Sequence, residues 1–283
     1  MSSLRLIVAC ALSGLLLGGC GAAPEDPVRI LGNTFGGVDR PISSGTIEAT
    51  LDLSESGIFT GDAELSGRFD RTGLDSGTLL APRFDLTFKL DLHAAAGADY
   101  RFEGGLLSTG RSLYLRYRDQ TYRVGDEELI AAFTGNAGSS TGLSPLEWFE
   151  DPVNLGTVEV AGVATTRISS RLNVAAMLND LVGVARRRGA TDLSAVRDLA
   201  ALIEDPRVDI YSGEQDRILR RFDVNFNVAA APNPRPDSAD SGAAPVAFSL
   251  VFGEINQPQQ IKPPLDAKPL RDLAALLAGL QGQ

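Results

Sequence analysis

The chain has 283 residues, 43% of them hydrophobic, and its 36 acidic and 26 basic residues give a net charge of −10. An acidic protein of this kind is a poor partner for nucleic acid and is not drawn electrostatically to anionic lipids. The length suffices for one sizeable hydrophobic core, so we expect a single folded domain after the N-terminal segments.

The N-terminus has the layout of a secretory signal peptide. Arg5 precedes the apolar stretch 6–17. The last residue of that stretch begins the sequence Leu17-Gly-Gly-Cys20. A membrane-spanning helix needs about 20 apolar residues, which makes a permanent span the weaker interpretation. The ending resembles a bacterial lipobox, in which the cysteine receives a diacylglyceryl group. The sequence therefore predicts a signal peptide at 1–19 and a lipid-anchored protein on the extracytoplasmic face of the cell membrane, with ordinary secretion as the alternative.

The residues that follow Cys20 predict a tether and then a domain. Residues 20–43 contain several prolines and glycines and no sustained apolar period, which is typical of a flexible tether. The folded domain is predicted at 44–283. Cys10 would leave with the signal peptide, so Cys20 would be the only cysteine of the mature chain and no intramolecular disulfide is expected.

Long runs of alternating apolar and polar residues predict about nine strands with one buried and one wet face. They lie at 46–54, 59–69, 83–93, 100–107, 112–118, 157–172, 207–211, 217–228 and 246–255. Glycines at the breaks favour tight connections and hence an antiparallel meander. The sequence does not alternate between strand and helix patterns, which makes a doubly wound parallel sheet improbable.

Helical periods interrupt the strands. Helices are predicted at 173–188, at 192–204 and from Pro269 to near the C-terminus, with a shorter helix at 126–133 and a turn at 146–149. The Pro-rich stretch 231–245 is predicted to be an exposed connection within a hairpin. The predicted fold class is therefore α+β, with a curved antiparallel sheet whose apolar face is covered by helices.

Residue sets that could perform catalysis are scarce. His93, the only histidine, falls at the end of a predicted strand and out of phase with its apolar residues, which favours a solvated position. Gly138-Ser-Ser-Thr-Gly142 satisfies a nucleophile-elbow pattern, but no strand precedes it and no helix follows, so a Gly/Ser loop is the better interpretation. The sequence nominates no catalytic residue and no cofactor.

Metal binding has no stronger support. His93 has no histidine partner for a zinc site. Two clusters of acidic residues, at 126–128 and around Trp148, could in principle bind calcium or act as an acid and base pair. Solvated faces and helix N-terminal charges explain both groups more simply, and no metal site is predicted.

A series of patterns in one order resembles a known family. These are Ser44-Gly-Thr-Ile-Glu-Ala-Thr-Leu-Asp-Leu53, Trp148-Phe-Glu-Asp-Pro152, the run 158–168 that leads into 173–178, and the strand pair 208–221. With the lipobox, they resemble the actinobacterial lipoproteins grouped with LppX and LprG, relatives of the LolA and LolB carriers. The resemblance covers about 44–261. The insertion at 231–245 and the tail from 257 onward depart from the family's pattern.

The resemblance implies a curved antiparallel half-barrel with helices at its mouth, and a ligand that is an acylated lipid or glycolipid, carried through the cell envelope. It brings no catalytic residues. Ligand-cavity candidates on the predicted sheet and on helix 173–188 are Phe84, Phe88, Leu90, Leu113, Leu115, Phe222, Phe226, Met177 and Leu181. The alternative is a non-catalytic binding or sensing module with a filled core that contacts an envelope protein. An enzyme built on the serine loop ranks third.

Overall fold

The structure is a computed structural model that describes residues 25–36, 42–53, 59–74, 81–94, 97–125, 143–187, 202–229 and 243–273. The strands are β1 (Ser44–Leu53), β2 (Phe59–Asp70), β3 (Arg83–Ala94), β4 (Asp99–Thr109), β5 (Leu113–Tyr117), β6 (Gln120–Gly125), β7 (Phe149–Val160), β8 (Val163–Leu172), β9 (Ile203–Gly213), β10 (Leu219–Val228), β11 (Ala244–Gly253) and β12 (Lys268–Pro269). The helices are α1 (Pro27–Gly36), a 3-10 helix (Pro145–Trp148) and α2 (Val174–Arg187), and residues 270–273 are also helical.

These strands form one open, curved sheet in the order β12-β6-β5-β4-β3-β2-β1-β11-β10-β9-β8-β7. All neighbours are antiparallel except β12, which pairs with β6 in parallel over two residues. Strand β1 lies at the centre, between β2 and β11, so the N-terminal and C-terminal halves of the meander join there.

The register brings apolar residues of β1 to β5 and of β8 to β11 onto one face of the sheet, because directly paired residues point to the same side. One row across the centre shows the rule. It runs through Phe102, Leu90, Ala63, Leu51, Phe248, Val224 and Val208. We call this side the apolar face and the opposite side the polar face.

The main core lies on the apolar face at the end of the sheet that contains β7 to β10. Its buried members are Ile30, Leu31, Phe149, Ile168, Leu172, Val208, Ile210 and Val224. Helix α1 supplies the first two, and Val174 and Met177 of α2 pack against the same cluster. Residues of helices α1 and α2 therefore pack against this end of the apolar face.

Helix α1 corrects part of the predicted tether. Asp26 caps it, since its Oδ1 accepts the backbone N–H of Val28 at 3.0 Å, and Pro27 occupies the first helical position. Ile30 is 0% exposed and Leu31 2%. Residues 27–36 are thus a packed helix rather than a flexible segment, because burial of these side chains outweighs the cost of the two glycines in the helix.

Replacing Ile30 with alanine should lower the free energy of unfolding by about 3 kcal/mol, because the side chain is wholly buried between α1 and the sheet. Val28 on the same helix is 59% exposed, and Val28→Ala should change the same quantity by less than about 0.5 kcal/mol. Urea unfolding of both variants in a Cys20→Ala background measures the difference. Equal stabilities would show that α1 is not part of the cooperative fold.

The predicted strands are present, but the sheet has more of them than the nine expected. The run 157–172 is two strands, β7 and β8, joined at Ala161 and Gly162, whose φ values of 49° and 77° suit a tight hairpin turn. Strands β6 and β12 and the first half of β7 were not predicted.

One helix prediction is confirmed and another is wrong at its end. Helix 173–188 is confirmed as α2, with Asn173 Oδ1 accepting the N–H of Ala176 at 2.9 Å, and the turn at 146–149 is the 3-10 helix. The predicted helix 192–204 is wrong at its end, where Ile203 and Glu204 belong to β9, and its residues 192–201 lie outside the described ranges.

Other predictions on helices and connections are only partly covered. Helix 126–133 lies outside the described residues, as do 231–242 of the Pro-rich connection. Pro269 lies in β12 rather than in a helix, and the helical residues 270–273 follow it. Within the described ranges, no helix is both long and apolar enough to cross a membrane.

Candidate functional site

The candidate site is the apolar face. Side chains at one end of this face are packed in the main core, and those in the middle are only half-buried. Phe222 and Phe226 of β10 and Met177 of α2, all predicted cavity residues, are partly buried and packed against the main core. Three of the nine candidates therefore belong to the packed end of the face, where α1 and α2 lie.

A second, smaller cluster lies towards the other end of the face. Ala81 and Leu113 are buried there, with exposed fractions of 0% and 6%, and Phe84, Leu106 and Val124 pack against them. The predicted residues Phe84 and Leu113 are thus together, but in contact with protein side chains rather than around a hollow.

Between the two clusters, the apolar residues of β1, β2 and β3 are half-buried. They are Ile47, Ala49, Leu51, Leu53, Ala63, Leu65, Leu86, Phe88, Leu90 and Leu92. The predicted residues Phe88 and Leu90 lie in this stretch, and Leu115 of β5 is half-buried as well. The stretch is wide and chemically uniform, because each paired residue across these strands is apolar or glycine on this side.

The Phe88 ring of this stretch and two rings of the neighbouring strands, those of Phe102 and Tyr117, form an aromatic border. Phe102 of β4 lies between Phe88 and Tyr117, with ring centroids 6.5 Å and 6.0 Å apart and interplanar angles of 23°. The arrangement depends on Gly104, which pairs with both Phe88 and Tyr117: a Cβ there would meet the Phe102 ring at 2.8 Å. The glycine leaves the space that the ring occupies.

The aromatic border is accessible. Phe102 is 41% exposed and Tyr100, on the same face two residues earlier, is 53% exposed. The Arg118 guanidinium lies 5.4 Å from the centroid of the Tyr117 ring. Exposed aromatic side chains next to a half-buried apolar surface are a common composition for a ligand site.

Sequence reasoning did not select Tyr100, Phe102 or Tyr117. The signal that could have found them is the alternation Tyr100, Phe102, Gly104 and Leu106 in β4, in which a glycine takes an apolar position. A glycine in that register indicates that a neighbouring side chain or ligand lies over the backbone.

Leu181, the last of the nine candidates, is 43% exposed on α2 and is not among the described residues that pack against the main core. Cys20 lies outside the described residues. The structure therefore groups the candidates as three at the packed end, two in the small cluster, and three in or beside the half-buried stretch, with Leu181 apart.

The polar face has a charged network opposite the main core. Arg167 Nη2 donates to Asp209 Oδ2 at 2.6 Å, and Arg221 Nε donates to Asp223 Oδ1 at 2.8 Å. Both guanidinium groups lie over the ring of Tyr211, at 5.8 Å and 5.4 Å from its centroid.

This network is stable to changes of pH in the neutral range. Burial raises the pKa of Tyr211, and the nearby Asp223 carboxylate raises it further. The hydrogen bond that Arg167 donates to Asp209 raises the pKa of Arg167, and the one that Arg221 donates to Asp223 raises the pKa of Arg221. Both arginines therefore stay charged and the phenol stays neutral at neutral pH.

A cleft of about 340 Å³ lies at one end of β9, β10 and β11. Its lining is Asp205, Arg207, Asn225, Phe226, Asn227, Pro245, Val246 and Ala247. Phe226 is the single predicted cavity residue among them. Because four of these eight residues are polar or charged, this cleft differs from the apolar hollow that the sequence led us to expect.

The residues considered for catalysis do not form a constellation with a nucleophile in the described part of the chain. His93 lies at the exposed end of β3, with Nδ1 2.8 Å from Asp99 Oδ1 and Nε2 3.3 Å from Asp91 Oδ1. The hydrogen bond to His93 lowers the pKa of Asp99. The serine loop 138–142 lies outside the described residues, and no metal-binding group of three His, Cys, Asp or Glu occurs within them.

The fold and the site define a class of protein. Its members are built on a broad, open antiparallel sheet with one continuous apolar face and helices packed on one end of it. No family model and no curated protein matches the chain. Several solved structures are similar to the chain.

The chain is similar to LprF from Mycobacterium bovis, with 11% identity, 86% of this chain and 99% of that one covered, and a TM-score of 0.43. It is similar to the lipoprotein LppX from Mycobacterium tuberculosis, with 10% identity, coverage of 83% and 97%, and a TM-score of 0.35. It is also similar to a LolA superfamily protein from Nitrosomonas europaea, with 9% identity, coverage of 84% and 96%, and a TM-score of 0.20. LppX, which is among these structures, is one of the proteins that the sequence patterns resemble.

Proposed function

We propose that this chain is a lipoprotein of the cell envelope that holds an acylated lipid or glycolipid against its apolar face. The observation that carries the proposal is the half-buried stretch on β1, β2 and β3, bordered by the exposed rings of Tyr100 and Phe102. A folded protein gains by covering such a surface, and burial of each methylene of an acyl chain contributes about 0.8 kcal/mol.

The candidate residues take different parts in this proposal. Phe88, Leu90 and Leu115, together with Phe102, would contact the acyl chains directly. Phe84 and Leu113 at one end, and Phe222, Phe226 and Met177 at the other, would form the walls that limit the length of the bound chain. Leu181, exposed on α2, would contact the ligand only if α2 moved towards the middle of the sheet.

The chemistry of the face suits holding and carriage rather than reaction. A row of side chains from Phe102 through Leu90 and Ala63 to Leu51 has no group that could act as nucleophile, acid or base. The protein would therefore be a non-catalytic carrier, and the helices α1 and α2 would close one end of the ligand site.

The anchor is the second part of the proposal. Cys20 would be acylated after removal of the signal peptide 1–19, and its two acyl chains would hold the protein stably on the extracytoplasmic side of the membrane. The ligand would then be taken from, or delivered to, the same membrane.

Replacing Cys20 with alanine should move the protein from the membrane fraction to the soluble extracytoplasmic fraction, with at least about a tenfold change in their ratio, because two acyl chains supply the attachment. Fractionation followed by immunoblotting measures the ratio, and the melting temperature of the released protein should be unchanged. Retention of the Cys20→Ala protein in the membrane fraction would contradict the anchor.

Lipid binding is tested separately on the released protein. Purified Cys20→Ala protein should take up a fluorescent diacyl phospholipid from vesicles, with saturation near one lipid per protein. Absence of uptake, with the fold intact by circular dichroism, would contradict the lipid site and leave the anchor unaffected.

A further inference from the structure

The described chain begins very close to the predicted anchor. Glu25 is fixed to the domain by three contacts: its Oε2 lies 2.5 Å from Arg217 Nη2, its Oε1 lies 3.1 Å from Arg29 Nη2, and its backbone carbonyl accepts Asn154 Nδ2 at 3.0 Å. Its side chain is 26% exposed. Glu25 is thus held against β7 and against the connection that precedes β10.

Only residues 21–24 separate Cys20 from this fixed point. A fully extended chain advances about 3.3–3.6 Å per residue, so the Cα atoms of Cys20 and Glu25 are at most about 18 Å apart. An acylated Cys20 lies at the membrane surface. The part of the domain around Glu25 must therefore stay within that distance of the bilayer.

Exposed apolar side chains occur at this part of the domain. Val153 and Leu155 flank Asn154 on β7 and are 54% and 51% exposed, and Val28 in the first turn of α1 is 59% exposed. Strand β7 is the last in the sheet order, so Val153 and Leu155 lie at a sheet edge. We call Val28, Val153 and Leu155 the anchor edge.

We propose that the anchor edge rests on the surface of the bilayer that holds Cys20, so that the sheet stands with β7 towards the membrane and β12 away from it. This inference rests on the proposed acylation of Cys20. These three apolar side chains lie near Glu25, whose distance from the anchor is at most about 18 Å, and they would enter the interfacial region, where their burial adds to the attachment.

The charges indicate which kind of surface fits. Asp26, Asp151 and Glu159 are all exposed and lie within a few residues of the anchor edge along the chain. Arg29 is paired with Glu25 and Arg171 with Asp151, the latter at 3.0 Å. With its basic side chains already paired, this edge suits a zwitterionic membrane surface better than an anionic one.

The test places a fluorescent label at the anchor edge or at the opposite edge. Cys10 leaves with the signal and Cys20 is acylated, so a cysteine introduced by Leu155→Cys or Leu265→Cys is the only free thiol. Leu265 is 101% exposed and lies just before β12 at the other end of the sheet order, which makes it the matched control. Each acylated protein is labelled with bimane and floated with phosphatidylcholine vesicles that contain brominated acyl chains.

Bromolipid should quench the label at position 155 at least about twofold relative to unbrominated vesicles, and leave the label at position 265 within about 10% of its unquenched intensity. Equal quenching at the two positions, or none at 155 in protein that floats, would overturn this inference and leave the anchor intact. Protein that does not float would overturn the anchor and the inference together.

An exposed sheet edge can also pair with a second copy of the chain. Sedimentation of the Cys20→Ala protein should therefore show a monomer. A concentration-dependent dimer that is lost when Val153 and Leu155 are both replaced by serine would assign this edge to self-association and overturn the proposal.

Discussion

Phe88→Asp should abolish lipid uptake by the Cys20→Ala protein. Phe88 lies in the middle of the apolar face and stacks on Phe102, so an aspartate there places a carboxylate where an acyl chain would lie. The desolvation cost of about 2 kcal/mol or more corresponds to an affinity at least about 30-fold weaker. The uptake of fluorescent phospholipid from vesicles measures the change.

The matched control is the next residue along β3. Lys89 points to the polar face, where its side chain is 57% exposed and forms only a 3.8 Å ion pair with Glu64. Lys89→Asp should leave uptake within about twofold of the parent, because exposed ion pairs contribute little. Equal uptake by Phe88→Asp and Lys89→Asp would contradict the assignment of the ligand to the apolar face. If Phe88→Asp does not fold, Phe102→Ser, at a position 41% exposed, tests the same surface.

Gly61→Ala should lower the free energy of unfolding by at least about 3 kcal/mol or prevent folding. Gly61 in β2 has a φ of 138°, in a region that side-chain-bearing residues rarely adopt, and a Cβ there would overlap the backbone carbonyl of Asp91 in β3. Neither backbone can give way without breaking the β2–β3 pairing, which continues to Asp70 and Arg83.

Gly32 provides the control because a Cβ at this position in α1 meets nothing within 4 Å. Gly32→Ala should leave stability unchanged or raise it by up to about 1 kcal/mol, since alanine is favoured over glycine in a helix interior. Urea unfolding of both variants measures the difference. A Gly61→Ala protein as stable as Gly32→Ala would contradict the close approach of β2 and β3.

The long strands were predictable because one face of the sheet is apolar over most of its width, which imposes alternation on the strands that contribute to it. Strand β3 shows it best, with apolar residues at every second position from Phe84 to Leu92. The missed elements lack that signal. Strand β12 has two residues, one of them Pro269, and the first half of β7 contains Pro152 and a positive φ of 50° at Asp151, with bulges on either side of Val153.

Helix α1 was missed for a different reason. Its local signals, Asp26 as a cap and Pro27 at the first position, were present in the sequence. Its stability comes from burying Ile30 and Leu31 against residues more than a hundred positions away, such as Ile168 and Val208. No local window contains that information, and the glycines at both 32 and 36 made the segment look like a tether.

The face of the sheet that holds the candidate residues was predictable. Which of these residues are packed and which are half-buried was not. All seven strand candidates lie on the apolar face, as alternation requires, because register preserves the side on which each residue lies. Which of them are packed depends on where the helices dock. Phe222 and Phe226 are near α1 and α2, whereas Phe88 and Leu90 are in the half-buried stretch, and sequence periodicity is the same for both pairs.

Mass spectrometry of the native protein is the most direct test of whether the apolar face holds an acylated lipid. Full-length protein is purified from its own membrane in a non-exchanging amphipathic polymer, then analysed intact and after extraction. We expect a co-purifying lipid with at least one acyl chain, near one per protein, that is reduced at least about tenfold in Phe88→Asp and unchanged in Lys89→Asp. Protein that carries no lipid, or carries the same amount in both variants, would contradict it.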